Sequence, residues 1–123
     1  MIILSLEIYS FQRAIRILYM GSLSKYLIND YDVRSTVMYK GNKIILLKPV
    51  SIREPVDNVF CLDGDNNIIW QVEDLRDKYP DDRKMPYANM FYHDGILTVS
   101  TFIGMGYDIN PDDGMILRSH IVK

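Results

Sequence analysis

Cysteine is all but missing from this chain: Cys61 stands alone among 123 residues. That excludes an internal disulfide and any metal site built from several thiolates. Cys61 lies between Phe60 and Leu62, a setting that makes it a small buried hydrophobe rather than a reactive thiol. Histidine is scarce as well. His93 and His120 are the only two, and neither has an acid or nucleophile at a telling spacing, so both read as solvated surface residues. There is no excess of positive charge: 14 Lys and Arg against 16 Asp and Glu give a net charge of −2. Nucleic acid is therefore a poor partner for so weakly charged a surface. Long apolar runs are absent too. Met1–Leu6 is stopped by Glu7, and Arg13 and Arg16 interrupt the ~20 apolar residues that a membrane span requires. No basic segment precedes that run and no small-residue cleavage site follows it before Gln12. The expectation is a cytoplasmic protein with no membrane partner.

Other chemical signatures fail on inspection. Asp63-Gly64-Asp65-Asn66-Asn67 begins like a calcium loop, but Ile68 stands where that loop needs glycine and Asp74 where it needs glutamate. Gly104-Met105-Gly106 lacks the Lys-Ser/Thr pair of a phosphate loop, and no Gly-x-Ser-x-Gly elbow occurs. No catalytic residue, metal site or cofactor is implied.

What the chain does contain is a repeat. Phe60–Trp70 aligns without a gap on Tyr107–Leu117, 47 residues later. Upstream of each copy stands a tyrosine, a polar turn and an apolar strand: Tyr39-Lys40-Gly41-Asn42 before Ile44–Leu47, and Tyr92-His93-Asp94-Gly95 before Ile96–Val99. Hairpins recurring at this period are the sequence form of propeller-type β units. Aromatics at 11% suit strands.

The turn chemistry divides the chain further. Ala14–Met20 and Leu23–Ile28 flank Gly21-Ser22 and predict an N-terminal hairpin within residues 1–30. Val33–Tyr39 with Lys43–Lys48, then Asn58–Asp63 with Ile68–Val72, predict four antiparallel strands over residues 31–72. Tyr87–Tyr92 with Ile96–Phe102, then Ile103–Ile109 with Met115–Val122, predict four more over residues 87–122. Between them Glu73–Lys84 reads as a long polar loop with one helical turn. The expected architecture is one all-β domain over residues 1–123, made of tandem four-stranded antiparallel meanders in a partial propeller or open sandwich.

Phe60-Cys61-Leu62-Asp63 followed by Asn67-Ile68-Ile69-Trp70 resembles the blade motif of pyrroloquinoline-quinone-type propellers, in which an aliphatic-Asp pair ends one strand and an aliphatic-Trp pair begins the next. Ile109-Asn110 with Gly114–Leu117 keeps the pattern but lacks the tryptophan. The resemblance implies blade structure over residues 31–121 and leaves function open, since such propellers serve as enzymes and as scaffolds. In size and habit the chain also resembles small bacterial immunity proteins, which would imply a non-catalytic inhibitor seated on a toxin.

The contact surface expected from sequence is acidic and aromatic. The loop contributes Asp77, Tyr79, Asp81 and Asp82; the second repeat contributes Tyr87 and an acidic turn of Asp108, Asp112 and Asp113. Long loops in compact domains are frequent binding elements, and acidic residues steer the approach of a basic partner such as a toxin domain. Trp70 is expected to anchor the core. The alternative is a self-associating module, a homo-oligomer that completes a propeller-like ring and binds a small molecule at its centre.

Overall fold

The computed structural model describes residues 33–49 and 57–122, so the hairpin expected in residues 1–30 lies outside the described residues. The fold is all-β. Strands β1 (Val33–Tyr39), β2 (Asn42–Leu47), β3 (Val59–Leu62) and β4 (Ile68–Gln71) form one antiparallel sheet in that order. Strands β5 (Tyr87–His93), β6 (Ile96–Thr101), β7 (Met105–Ile109) and β8 (Ile116–Ile121) form a second, also in chain order. The two sheets are tandem meanders and do not join into a barrel. Among the described residues no helix is long and apolar enough to cross a membrane.

Local chemistry explains the hairpins. At the β1–β2 turn Lys40 and Gly41 have φ of 49° and 81°, and at the β5–β6 turn Asp94 and Gly95 have 52° and 79°. Two successive left-handed residues make the turn whose twist matches that of the flanking strands. The β3–β4 turn is fastened by Asp63, whose Oδ1 accepts from the N–H groups of Asp65 (2.8 Å) and Asn67 (2.9 Å). The residues that suggested calcium ligands thus form a hairpin turn. The polar connection between the sheets contains the expected helical turn, α1 (Leu75–Lys78), capped by the Asp74 side chain accepting from Arg76 N–H. One strand starts later than its sequence suggests. Ile103 and Gly104 belong to the β6–β7 turn, and β7 begins at Met105.

The sheets pack face to face. Val37, Ile44, Cys61 and Trp70 lie side by side across the first sheet. With Leu46, Val59 and Val72 they meet Met90, Leu97, Val99, Tyr107, Ile109 and Ile116 of the second. Ile45, Leu47, Phe60 and Leu62 on the opposite face of the first sheet are buried as well, which is why β2 and β3 read as continuous apolar runs rather than alternating ones.

Polar ties lock the pair together. Asn58 is fully buried and donates from Nδ2 to the carbonyls of Leu47 (2.8 Å) and Tyr87 (2.9 Å), while its Oδ1 accepts from Tyr87 N–H (2.9 Å). The Trp70 indole N–H donates to the Pro111 carbonyl at 3.0 Å. Its ring lies so close to Gly114 that a Cβ there would stand 2.5 Å from Trp70 Cε3. Glu73 completes the seam: its N–H donates to the Gly114 carbonyl (2.9 Å) and its Oε1 accepts from Ile116 N–H (2.8 Å).

The hydrogen-bond register corrects the ungapped alignment of the repeats. The β3–β4 connection spans residues 63–67 and the β7–β8 connection residues 110–115, one residue longer. Cys61 pairs with Trp70 and Asp108 pairs with Arg118. The structural counterpart of Trp70 is therefore Arg118, not Leu117. By the same register Val37, Ile44, Leu46, Val59 and Cys61 correspond to Phe91, Thr98, Ser100, Gly106 and Asp108.

Candidate functional site

That correspondence marks the outer face of the second sheet. In the first sheet the equivalent face is apolar and packed against a neighbour. In the second it carries Phe91, Thr98, Asp108 and Arg118 in one row and Asn89, Ser100, Gly106 and His120 in the next. Alternation along each strand turns these residues away from the core.

Asp108 is the centre of the face. It is only 6% exposed although it lies on the solvent side of the sheet. Its Oδ1 accepts from the Thr98 hydroxyl at 2.8 Å and meets His120 Nε2 at 2.9 Å, while its Oδ2 meets Arg118 Nε at 3.1 Å. A desolvated carboxylate is tolerated where hydrogen bonds to one oxygen and an ion pair at the other compensate it. Gly106 makes the cluster possible, since a Cβ there would stand 3.0 Å from His120 Cε1 and 2.3 Å from Val122 Cγ2. The imidazole rests where any larger residue would displace it.

Apolar residues lie beside Thr98 on this face: Phe91, its partner across the strand pair, and Ile96, two residues before it, are 48% and 46% exposed, and Leu117 is 49% exposed. Leu117 falls in the irregularity where the β7–β8 register shifts.

The acidic and aromatic residues expected to form the contact surface do not come together. Asp77, Asp81, Asp112 and Asp113 are exposed. Asp112 is engaged within the fold: the Tyr39 hydroxyl donates to it at 2.8 Å and Lys40 stands at 3.4 Å, and these interactions hold its carboxyl below the usual range. Tyr79 and Asp82 turn inward. Asp82 accepts from the Tyr107 hydroxyl at 2.9 Å, and the Tyr79 and Tyr107 rings are 6.0 Å apart. Burial, then the bond to Asp82, pushes the Tyr107 phenol up. Two residues sit elsewhere than their sequence suggests. Tyr87 is 1% exposed, a core residue whose ring meets Tyr107 edge-on. Asp108 belongs to β7 rather than to an acidic turn, because the turn begins after Ile109.

His93 fits its solvated reading, exposed beside Asp94 at 3.1 Å. His120 is exposed as well, but it has an acidic partner, Asp108, that no sequence spacing announced, because the two residues meet across a strand pair. Chemically, Asp108 orients the imidazole as it would in a general base. Thr98, the hydroxyl beside them, directs its proton at Asp108.

A second polar cluster supports the loop between the sheets. Lys84, its side chain 3% exposed, bridges Asp57 (3.0 Å) and Asp74 (2.8 Å). Burial raises Asp57 to about 6 despite Lys84. Burial acts on Asp74 in the same direction, but hydrogen bonds from Lys84 and Arg76 N–H hold it below its usual value. Asp57 Oδ1 and the Tyr87 hydroxyl are buried with no hydrogen-bond partner among the described residues, and burial, with Asp57 next, drives the Tyr87 phenol up. Burial also pushes the Cys61 thiol up to about 11, consistent with an inert core residue.

Comparison with known proteins places residues 24–121 within the model of a family described as a domain of unknown function. No curated protein matches the chain.

Proposed function

The chain belongs to the DUF7957 family, and from that premise and the geometry above we propose that it is a non-catalytic protein-binding module. In its most specific form it is an immunity-type inhibitor that blocks a bacterial toxin in the cytoplasm. One observation carries the reading. The face that packs on a neighbour in the first sheet is, in the second, left uncovered among the described residues, with exposed Phe91 and Ile96 beside Thr98 of the Asp108 cluster. Aromatic and arginine side chains concentrate binding energy at protein interfaces, and side chains fixed by a buried acid lose little freedom on binding. The exposed acids Asp77, Asp81 and Asp113 lie on the loop and turn and favour the approach of a basic partner.

The resemblance to propeller blades supports the same reading, as a two-unit fragment whose open face is used rather than closed. The self-associating alternative is weaker, because continued stacking calls for an apolar centre, and Thr98, Ser100, Gly106 and Asp108 occupy it.

The test is co-expression with toxins encoded beside the gene, scored as rescue of growth. Wild-type protein should protect, and Phe91→Asp should protect at least about tenfold less well, since a charge placed in a desolvated contact costs well over 1.4 kcal/mol. If no adjacent toxin is neutralised, the immunity reading is abandoned. If Phe91→Asp protects as well as wild type, this face is not the contact surface.

A further inference from the structure

The outer edge of the first sheet shows what this fold does with exposed backbone. Val72 N–H donates to the Val59 carbonyl at 3.0 Å, so its neighbours Gln71 and Glu73 turn their N–H and C=O groups away from β3. The β7–β8 turn occupies that edge. Glu73 N–H donates to the Gly114 carbonyl at 2.9 Å, and a Cβ on Gly114 would stand 3.2 Å from the Gln71 carbonyl oxygen. Because Trp70 corresponds to Arg118, Gln71 and Glu73 correspond to Ser119 and Ile121. Val122 N–H donates to the Gly104 carbonyl at 2.7 Å, which fixes the alternation along β8. Arg118 and His120 bond to β7, while Ser119 and Ile121 direct their backbone groups away from it. Here the edge is empty. β8 ends its sheet, and neither residue has a backbone partner on that side among the described residues.

Edge strands of soluble proteins are ordinarily guarded by proline, lysine or a bulge. From Arg118 to Val122 there is neither proline nor lysine, and Asp108 draws the Arg118 side chain back onto the sheet. The irregularity at Leu117 and the Glu73 carboxylate on Ile116 N–H close the edge only at its start. Ile121, at the free end, shares a face with its partner Met105, which packs against the core, yet it is 73% exposed. Resting on the protein-binding reading above, we propose that β8 receives an extended segment of the protein partner, added to the second sheet beside Ser119 and Ile121. Antiparallel addition lets each of these residues exchange a pair of backbone bonds with the incoming strand. A row of backbone donors and acceptors selects an extended chain over a helix, whose own groups are already paired. An apolar residue opposite Ile121 prolongs the row from Met105 and covers that side chain. Arg118 and His120 join this edge to the open face, so one partner can occupy both. A second copy fits less well, since pairing β8 with β8 sets both copies' Arg118 and His120 side chains on one face.

The probe is the blocked peptide acetyl-Thr-Val-Thr-Val-Thr-amide, titrated into full-length isotope-labelled protein and followed by NMR. Saturable shifts at the Ser119 and Ile121 amides with a Kd of ~0.1–10 mM are expected. Hydrogen exchange at both amides, fast in the free protein, should slow about fivefold or more at saturation. Ser119→Ala should bind within about twofold of wild type, because the contact is to backbone. Ser119→Pro should weaken binding about tenfold or more with Tm kept within ~5 °C, since it removes an outward N–H and no ladder bond. The same peptide methylated on every amide nitrogen should not bind, which asks the question without touching the fold. Shifts that rise linearly, or unaltered affinity in Ser119→Pro or for the methylated peptide, overturn the strand addition. Slow exchange of both amides in the protein alone overturns it as well, and sedimentation as a dimer would then identify a second copy as the occupant. Where a toxin is neutralised, equal rescue by Ser119→Pro and wild type removes the partner from this edge. Peptide binding by a protein that neutralises no toxin leaves the edge standing and removes the immunity reading.

Discussion

At Trp70 one indole makes two contacts that no smaller residue can supply together. Its ring fills the space over Gly114, and its N–H answers the Pro111 carbonyl across the seam between the sheets. Trp70→Ala should therefore cost roughly 3–5 kcal/mol, the range for large aromatic truncations in packed cores. Trp70→Phe should cost less, keeping part of the packing while leaving a carbonyl unanswered. Chemical denaturation of both variants checks the order, and equal losses would show that the ring packing kept by Phe contributes nothing. Tyr87 presents the opposite case. Its ring is core, yet its buried hydroxyl has no hydrogen-bond partner among the described residues. Tyr87→Phe should leave stability unchanged or raise it by up to about 1 kcal/mol, because the removed group is desolvated without compensation. A loss above about 1 kcal/mol would mean that the hydroxyl is bonded in solution.

Among the elements, the connection between the sheets carries the pH response. Asp57 titrates near 6 in the fold against an ordinary value of 3.8. Between those values the folded protein retains a proton that the unfolded chain releases, so stability falls as pH rises from about 4 to about 6. The loss should be on the order of 1–3 kcal/mol. Asp74 acts in a different window: its depressed value stabilises the fold above the ordinary carboxylate range, and that contribution fades as pH drops below about 4. Melting temperatures across this range should decline from pH 4 to 6, and Asp57→Asn should flatten the decline. A flat wild-type profile would place Asp57 in water. The elements themselves were legible because hairpin signals are local: Lys40-Gly41, Asp94-Gly95 and the Asp63 turn fix strand ends from adjacent residues. The site was not legible for the complementary reason. Asp108, Arg118 and His120 meet only through cross-strand register, and one extra residue in the β7–β8 turn decides which side chains stand opposite. An ungapped alignment set Leu117 against Trp70 and hid the arginine. The aromatic count likewise could not separate Tyr87, turned inward, from Phe91, turned outward a few residues later.

For the whole molecule, the equivalent faces of the two repeats are treated differently. Stacked-repeat proteins end in a unit with a polar outer face, and Thr98, Ser100 and Asp108 supply one where the first sheet has Ile44, Leu46 and Cys61. Replacing the three with the residues of the first repeat (Thr98→Ile, Ser100→Leu, Asp108→Cys) should create an apolar patch and concentration-dependent association, measurable by light scattering. If the variant stays monomeric at high concentration, those polar residues are not what limits association. Long-range charge is testable at the same scale. Asp77→Lys with Asp81→Lys should slow association with a basic toxin at low salt and matter less at high salt, where the field is screened. Asp82 is left out because it holds the Tyr107 hydroxyl. Equal association rates at low salt would place the loop away from the approach path.

The seam at Trp70 also bears on how the chain comes to be folded at all. Each strand among those described pairs with its neighbour in sequence, so the hairpins need only short loops to close and can form early. The bonds between sheets span far more chain, from 29 residues for Asn58 to Tyr87 up to 73 for Tyr39 to Asp112. A ribosome delivers the first sheet complete while the turn that seats Trp70 is still being assembled. Until Gly114 has been added and has cleared the exit tunnel, a large apolar face waits in water, and that interval is when a nascent chain of this design is most exposed to aggregation and most in need of a chaperone.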